Sequence, residues 1–479
     1  MIVRDTLYIG GNHEKPATGA TFDVVSPFTE EVIARVPEAS KADVDRAVAA
    51  ARQAFDAGPW PRTSPAERAD VLDRLLAALQ KRAAEIASTI TAEMGCPMGF
   101  SHAGQVFATH MVLDYYAKLA RSFPFEEKRD AMIGSALVRQ EPVGVAAAIV
   151  PWNVPLFTTV LKLAPALAAG CTIVVKPSPE TPLDAYLLAD ALDEAGVPAG
   201  VVSIVAAGRE VGEHLVTHPG VDKVAFTGST AAGRRIAALC GERLRRVTLE
   251  LGGKSAAIVL DDADLDAVIP QIVGAGTMNN GQACVAQTRI LLPRARYREG
   301  VDALAAAVAK LRVGDPAEMT TEIGPLVAAR QRDRVLGYVD KGRSEGARCV
   351  VGGGRPAAFA KGWFVEPTLF ADVDNRMAIA QEEIFGPVLC AIPYDGEADA
   401  LRIANDSEYG LSGSVWTGDP ARGLDVARRV RTGTYNVNYF MMAMSGPFGG
   451  FKASGLGREL GPEGLRAYLE PKTICFAPG

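Results

Sequence analysis

Apolar and polar residues alternate through the middle of the chain in a strand–helix rhythm. Four apolar runs, rich in β-branched residues, predict strands buried on both faces: Val143–Val150, Thr172–Val175, Val201–Val205 and Lys223–Phe226. The stretches after them, 155–168, 181–194, 209–217 and 230–240, have helical character, and a fifth strand is predicted at 246–249. This order is typical of a doubly wound α/β fold with a parallel sheet.

The first ninety residues predict short strands followed by two helices. Ser40-Lys41-Ala42-Asp43 resembles a capping box at the start of the first helix. The second helix is predicted to begin after Ser64, with Pro65 in its first turn and Glu67 at the capping position. Its apolar stripe is expected to continue as far as Ile90.

Two further regions complete the predicted architecture. After Gly253 a second α/β region begins with the apolar run Ala256–Leu260, and helices and strands alternate to about residue 440. Residues 123–142, between the first helices and the first α/β region, are predicted to form a projecting hairpin arm.

Composition excludes several classes of protein. The chain has 479 residues, of which 48% are hydrophobic and 22% charged, as in ordinary globular proteins with two or three domains. A net charge of −6 gives no basic footprint for nucleic acid or an anionic membrane. The seven cysteines contain no Cys-x-x-Cys pair and the five histidines form no ligand motif, so neither a disulfide framework nor a metal site is expected.

The location of the protein is predicted from what the apolar segments lack. The first residues show no run of signal-peptide length. The most apolar stretch, Leu161–Val175, contains Lys162 and Pro165 and is too short to span a membrane. We therefore expect a cytoplasmic protein.

Several glycine-rich strings resemble phosphate-binding motifs. Gly252-Gly253-Lys254-Ser255 ends like a P-loop, but Thr248 stands where that motif requires glycine. Gly228-Ser229-Thr230 follows a predicted strand and opens a helix, so its backbone N–H groups can face a pyrophosphate, although an ordinary tight turn explains it equally well. Lys176-Pro177-Ser178 ends an earlier strand, which places the lysine at the crevice where ligands bind.

Three residues carry candidate chemistry. Cys284 has a thiol that can attack a carbonyl, and the carboxylate of Glu250 can activate water, which together indicate acyl transfer through a thioester. Asn153 lies between Pro151 and Pro155, so its amide is rigidly placed and suits an oxyanion. Taken singly, a buried cysteine and a turn asparagine are the simpler interpretations.

Seven motifs in order give the chain a resemblance to the NAD(P)-dependent aldehyde dehydrogenase superfamily over nearly its whole length. They are Pro151-Trp152-Asn153, Lys176-Pro177-Ser178, Phe226-Thr227-Gly228-Ser229-Thr230, Glu250-Leu251-Gly252-Gly253-Lys254, Gly281-Gln282-Ala283-Cys284, Glu382-Glu383-Ile384-Phe385-Gly386-Pro387 and Pro447-Phe448-Gly449-Gly450-Phe451-Lys452-Ala453-Ser454-Gly455. The resemblance implies two doubly wound Rossmann-type domains and a β-hairpin oligomerisation arm. It assigns residues 1–122 and 143–250 to a dinucleotide-binding domain, 251–462 to a catalytic domain, and 123–142 with 463–479 to the arm.

The resemblance also implies roles for individual residues. Cys284 is expected to be the nucleophile, Glu250 the general base, and Asn153 with the Cys284 backbone N–H the oxyanion hole. Lys176 is expected at the adenosine ribose, Ser229 at the pyrophosphate, and Glu383 with Phe385 at the nicotinamide ribose. The other implied cofactor contacts are Ile149, Pro151, Trp152, Ser178, Gly208, Gly212, Phe226, Gly228 and Leu251. A homodimer or homotetramer is implied, and no metal.

The choice between NAD and NADP is less sharply predicted. Many family members carry a glutamate three residues after the cofactor lysine, and here that position is Pro179, with Glu180 next. A carboxylate in the position taken by Pro179 would repel a 2′-phosphate, so its displacement weakens the case for strict NAD use. NAD is our expectation, with NADP as the alternative.

The expected substrate is an apolar aldehyde, either aliphatic, terpenoid or aromatic. The segments expected to line its tunnel are apolar, although core packing is their simpler role: Val154, Leu161, Val285, Tyr439-Phe440-Met441-Met442 and Met444. No Arg or Lys occurs from Asn280 to Gln287, which leaves a semialdehyde carboxylate without an obvious partner. The alternatives are a non-catalytic binding protein, which would not need both Cys284 and Glu250, and a thiol hydrolase, for which Cys284 lacks an evident histidine.

Overall fold

The structure of the chain, a computed structural model, describes residues 1–477. Its strands are β1 Ile2–Val3, β2 Leu7–Ile9, β3 Asn12–Glu14, β4 Thr21–Val25, β5 Val32–Pro37, β6 Glu126–Asp130, β7 Ser135–Pro142, β8 Val145–Ile149, β9 Thr172–Lys176, β10 Val202–Ile204, β11 Lys223–Thr227, β12 Arg246–Glu250, β13 Ala256–Val259, β14 Arg289–Pro293, β15 Arg348–Val351, β16 Thr368–Ala371, β17 Val388–Tyr394, β18 Gly413–Trp416, β19 Asn436–Val437, β20 Gly455–Leu456 and β21 Leu469–Phe476.

Helices connect most of these strands. They are α1 Lys41–Asp56, α2 Pro65–Lys81, α3 Ala83–Met94, α4 Met98–Phe100, α5 Ala108–Ser122, α6 Pro155–Ala169, α7 Leu183–Glu194, α8 Arg209–Thr217, α9 Thr230–Gly241, α10 Leu265–Thr277, α11 Tyr297–Ala309, α12 Ala329–Ser344, α13 Ala378–Gln381, α14 Gly396–Asn405, α15 Pro420–Arg429 and α16 Gly461–Arg466. A π-helical turn, Ser101–Phe107, joins α4 to α5. In the part of the chain described, no helix has the length and apolarity needed to cross a membrane.

The first sheet has eight strands in the order β20-β12-β11-β8-β9-β10-β2-β3. Its five central strands, β12 to β10 in that order, are parallel to one another. Alternate residues of β8 belong to two different apolar clusters, one packed against α6 and α7 and the other against α1, α8 and α9. The sheet is therefore buried on both faces, which explains why its strands are continuously apolar.

The second sheet has seven strands in the order β15-β16-β17-β14-β13-β18-β19, and only β15 is antiparallel to its neighbour. Helices α10 and α11 cover one face, and α12 and α14 cover the other. Two doubly wound sheets are thus present, as predicted.

The predicted arm is a hairpin of β6 and β7. The carboxy-terminal strand β21 pairs antiparallel with β7 along eight residues, from Leu469 opposite Pro142 to Phe476 opposite Ser135. The hairpin tip exposes Met132 by 99% and Ile133 by 74%. The two sheets and this arm confirm the predicted fold class.

One helix differs from the prediction. Both caps form as expected, because the Ser40 and Ser64 hydroxyls each accept from the N–H three residues on. However, the second helix ends at Lys81, and a separate helix α3 begins at Ala83. Arg82 between them has φ −100° and ψ 7°, which is not helical. The apolar spacing continues across this break because α2 and α3 both pack on α7, so periodicity alone did not reveal it.

Candidate active site

Three of the predicted cofactor residues, Ile149, Lys176 and Phe226, meet at the carboxyl edge of the first sheet. Strand register pairs Ile149 with both Lys176 and Phe226, and pairs Thr227 with Glu250. The chain leaves β8 and β11, adjacent strands whose connections run in opposite directions, at this same edge. A crevice at such a switch point is where doubly wound folds bind ligands.

Lys176 lies almost fully buried at the end of β9. Its Nζ donates hydrogen bonds to the carbonyl oxygens of Pro177 at 2.9 Å and Ala207 at 2.8 Å. Burial lowers the pKa of this ammonium group to about 8. Gly208 precedes α8, and Gly212 within it lies so close that an added Cβ would be 3.2 Å from the Lys176 Cδ. The missing side chain at Gly212 therefore leaves room for the lysine stem.

The turn between β11 and α9 presents a helix start to the crevice. The Gly228 N–H donates to the Glu250 carbonyl at 3.0 Å, which ties the ends of β11 and β12 together. Ser229 is exposed and caps α9, its hydroxyl accepting from the Ala232 N–H at 3.3 Å. Free N–H groups in the first turn of a helix suit a phosphate. Leu251 packs beneath this turn against α9.

Ser178 lies next to an ion pair that joins the loop after β9 to helix α12. Its hydroxyl donates to the carboxylate of Glu180, the residue after Pro179. That carboxylate also pairs with the guanidinium of Arg330 in α12. The carboxylate that the sequence carries at Glu180, one position after Pro179, therefore lies beside Ser178.

Asn153 is buried and joined to the chain that precedes Cys284. Its Nδ2 donates to the Gln282 carbonyl oxygen at 2.8 Å. In return, Asn279 Nδ2 donates to the Asn153 carbonyl oxygen at 2.8 Å. This reciprocal pairing fixes the amide of Asn153 beside the turn that carries Cys284.

The turn itself adopts an uncommon backbone. Asn279, Asn280 and Gly281 have φ values of 53°, 61° and 72°, in the left-handed region that non-glycine residues rarely enter. The Asn280 side chain donates to the Gly95 and Pro325 carbonyl oxygens, both at 2.9 Å, which holds this conformation. A Cβ on Gly281 would lie 2.1 Å from the carbonyl oxygen of Gly386, so only glycine fits there.

Cys284 is partly buried beside two carboxylates. Burial, and then the charges of Glu383 and Glu250, raise the pKa of its thiol to about 12. Its carbonyl oxygen approaches Gly253 so closely that a Cβ there would be 2.3 Å away. The structure thus places Glu250 and Glu383 close enough to Cys284 for both charges to act on its thiol.

Glu250 is 3% exposed at the end of β12. Within residues 1–477, no group donates a hydrogen bond to either oxygen of its carboxylate. Burial and the nearby Glu459 raise the pKa of Glu250 well above its ordinary value. Gly449 lies against it, since a Cβ there would be 2.5 Å from Oε1.

Behind Glu250 lies a buried ion pair that sequence reasoning missed. Lys162 Nζ donates to Glu459 Oε1 at 2.8 Å and to the Thr227 hydroxyl at 2.6 Å. Lys162 is the single charged residue of helix α6, and this was the signal that could have identified it. Glu459 is 297 positions away along the chain and has no comparable signal.

Glu383 and Phe385 lie on the other side of Cys284. Glu383 Oε1 accepts a hydrogen bond from the Gly253 N–H at 2.9 Å, and burial raises its pKa to about 7. The Phe385 ring meets the Trp152 ring edge to face at a centroid distance of 5.4 Å. Pro151 and Trp152 follow β8 of the first sheet and Phe385 precedes β17 of the second, so this ring contact joins the two sheets.

The arrangement offers a thiol, a buried carboxylate and a fixed amide beside the crevice at the carboxyl edge of the first sheet. Such a set can perform acyl transfer without a metal. Among residues 1–477, no three His, Cys, Asp or Glu side chains are grouped as metal ligands.

Known proteins share this whole architecture. The model of the aldehyde dehydrogenase family matches residues 14–474. Geranial dehydrogenase of Castellaniella defragrans is 50% identical over 469 residues, 98% of each chain. An aldehyde dehydrogenase of Mycobacterium tuberculosis complexed with NAD+ superposes with a TM-score of 0.99 at 50% identity, covering 100% of this chain and 99% of its own.

A third relative is a mutant of aldehyde dehydrogenase C from Pseudomonas syringae, whose crystal structure contains NAD+ and octanal. It superposes with a TM-score of 0.96 at 41% identity, covering 99% of this chain and 97% of its own.

Proposed function

The chain belongs to the aldehyde dehydrogenase family and oxidises an aldehyde with NAD(P)+; from this premise we propose that its substrates are apolar aldehydes and that Cys284 carries the acyl group. The observation that supports the proposal is that Glu250 and Asn153 both lie near Cys284, which is partly buried against an apolar cluster. Each of the three supplies one function that thioester chemistry needs.

The crevice fits a nicotinamide dinucleotide. Lys176 would bond the adenosine ribose, the start of α9 at Gly228 and Ser229 would face the pyrophosphate, and Glu383 would hold the nicotinamide ribose. The buried carboxylate of Glu383, anchored by one N–H, suits a ribose hydroxyl donor. When bound, NAD(P)+ supplies the hydride acceptor. NAD is the proposed preference, because Glu180 adds negative charge beside Ser178.

In the first half-reaction, the Cys284 thiolate forms a bond to the aldehyde carbon. The carbonyl oxygen gains negative charge, and the Asn153 amide with the Cys284 backbone N–H would donate hydrogen bonds to it. One Asn153 N–H is already used on Gln282, which fixes the direction of the other. After oxidation the acyl group remains on sulfur as a thioester.

In the second half-reaction, Glu250 would take a proton from a water that attacks the thioester carbon. The C–S bond then breaks, the carboxylic acid leaves, and the Cys284 sulfur is released. A carboxylate held in an apolar pocket is a stronger base than an exposed one. Lys162 and Glu459 lie behind it and complete a buried charged group of three.

The proposed substrate class follows from the carboxylates near Cys284 and from the apolar side chains around it. The two side chains whose charges act on the Cys284 thiol are both carboxylates, so neither can pair with the carboxylate of a semialdehyde. Val154, Val285, Met442 and Met444 are partly buried in the same apolar cluster as Cys284. Leu161 lies fully in the core, while Tyr439 and Met441 are exposed. The resemblance to relatives named for geranial and crystallised with octanal supports the same class.

The test is a series of aldehydes assayed with NAD+ and with NADP+ by absorbance of the reduced cofactor. From butanal to octanal, kcat/KM is expected to rise by up to about fourfold per methylene, because burying one methylene contributes about 0.8 kcal/mol. Geranial and benzaldehyde should also be oxidised. Highest activity on succinate semialdehyde would contradict the apolar class, and a higher kcat/KM with NADP+ would contradict the cofactor preference.

A matched pair of variants tests whether Met442 contacts the aldehyde. Met442→Lys places a charge in the apolar cluster and should lower kcat/KM for octanal. Met319→Lys makes the same exchange at a methionine that is 63% exposed and outside the site, and should leave kcat/KM unchanged. Equal effects of the two variants on kcat/KM would show that Met442 does not contact the aldehyde.

Assembly and location are part of the proposal. We infer a homodimer or homotetramer held by the arm of β6, β7 and β21, in the cytoplasm. All seven cysteines are free, which agrees with a reducing compartment.

A further inference from the structure

Gln105 lies in the π-helical turn between α4 and α5 and is fully buried. The turn is identified by the Ala108 N–H, which donates to the Ala103 carbonyl oxygen five residues earlier. Such a turn inserts one extra residue and rotates the side chains beyond it, and π turns of this kind recur at functional sites.

The Gln105 side chain reaches the segment that carries Asn153. Its Nε2 donates to the Asn153 carbonyl oxygen at 3.2 Å, across 48 positions of sequence. The same oxygen accepts from Asn279 Nδ2 at 2.8 Å. Two buried amides from separate elements therefore hold one backbone carbonyl, and both of its lone pairs are used.

The two amides approach from different parts of the chain. Asn279 belongs to the strained turn before Cys284, so it holds Asn153 in place relative to the nucleophile. Gln105 belongs to the layer formed by helices α3 to α5. Its own backbone is anchored there, because the Thr109 hydroxyl donates to the Gln105 carbonyl oxygen at 2.6 Å. Without Gln105, Asn153 would be fixed on the nucleophile side only.

We propose that Gln105 is a positioning residue that sets the direction of the Asn153 side-chain amide toward the oxyanion. This inference rests on the proposed role of Asn153 and adds a residue outside the seven motifs. The peptide plane at Asn153 sets the direction of its Cα–Cβ bond, so loss of one anchor on its carbonyl lets the amide move. Misplacement by about 1 Å can lower a rate by about 10²-fold.

The test is a double-mutant cycle on the pre-steady-state burst of reduced cofactor, with octanal and NAD+. Gln105→Met keeps length and removes the donor. It should slow the burst by about 10-fold while changing the aldehyde KM by less than about twofold, because the lost interaction acts in the transition state. Asn153→Ala alone should slow it by about 10²–10³-fold. In the Asn153→Ala background, Gln105→Met should then slow the burst by less than about twofold.

Two further variants separate positioning from stability. Gln105→Asn keeps the amide but shortens its reach, and should slow the burst in the same Asn153-dependent way even if Gln105→Met folds poorly. Gln271→Met makes the same exchange at an exposed glutamine of α10 and should leave the burst unchanged.

The outcomes distinguish the two proposals. Equal slowing by Gln105→Met in both backgrounds, or no slowing at all, overturns the positioning role while Asn153 keeps its own. If Asn153→Ala is as fast as the parent protein, the proposed oxyanion role itself is wrong.

Discussion

At the scale of single residues, the buried carboxylate of Glu250 divides the reaction into two halves. Glu250→Gln keeps the shape but removes the base, so thioester formation should continue while its hydrolysis stops. We expect one burst of reduced cofactor per active site, with steady-state turnover lowered by at least about 10²-fold.

Intact-mass spectrometry checks this expectation directly. Glu250→Gln mixed with octanal and NAD+ should gain the mass of one octanoyl group, and Cys284→Ala carrying the same change should gain none. An acyl adduct that persists in the absence of Cys284 would assign the nucleophile to another residue.

The same residues predict a rate that increases with pH. Burial and neighbouring carboxylates raise the pKa of both Cys284 and Glu250, and each acts in its deprotonated form. Turnover should therefore rise from about pH 7 to about pH 9, as the active fraction of each group grows. In Glu250→Gln the burst rate should keep its pH dependence, which then belongs to Cys284. A steady-state rate that falls across this range would contradict the proposed protonation states.

At the scale of elements, the left-handed turn at 279–281 is expected to limit stability. Gly281→Ala forces a Cβ toward the Gly386 carbonyl and a positive φ on alanine, so it should lower the free energy of unfolding by at least about 1–2 kcal/mol. Gly274→Ala is the control, because Gly274 lies inside helix α10 with open space around it. It should be neutral or stabilising by up to about 1 kcal/mol in urea unfolding. Equal effects would show that the turn is not constrained.

Elements of the first sheet could be predicted because burial on both faces makes their sequences continuously apolar. Strands β8, β9 and β11 each lie within two residues of their predicted limits. The break at Arg82 could not be predicted, because no glycine or proline marks it and tertiary packing decides it. The π turn at Ser101–Phe107 could not be predicted either, because its single glycine, Gly104, does not distinguish a π turn from an ordinary α-helix. Motif order indicated Cys284, Glu250 and Asn153, whereas the Lys162–Glu459 pair depends on a contact between distant segments.

At the scale of the whole molecule, the two sheets are joined at the candidate site. The Ser454 hydroxyl donates to the Gly252 carbonyl oxygen at 2.6 Å, and the next residues form β20 on the edge of the first sheet. The chain thus leaves the first sheet at Glu250, builds the second sheet, and returns beside its point of departure. This return places Gly449 against Glu250 and Glu459 behind it.

The edge and the tip of the arm differ in the surface that they offer to a second copy of the chain. Strand β6 is exposed along its whole length and consists of five charged residues, so its free edge is unsuited to pairing with another chain. The tip, in contrast, exposes Met132 and Ile133, an apolar pair that a second copy would cover. A double Met132→Glu, Ile133→Glu variant should therefore have a smaller mass than the parent protein by size-exclusion chromatography with light scattering.

Leu244→Glu is the matched control, since Leu244 is 95% exposed between α9 and β12 and lies outside the arm. Its mass should equal that of the parent. Because the arm begins where α5 ends and rejoins the first sheet at β8, loss of the contact should leave both sheets folded, with an unchanged far-ultraviolet circular dichroism spectrum. An unchanged mass in the double variant would place the contact between copies elsewhere on the surface.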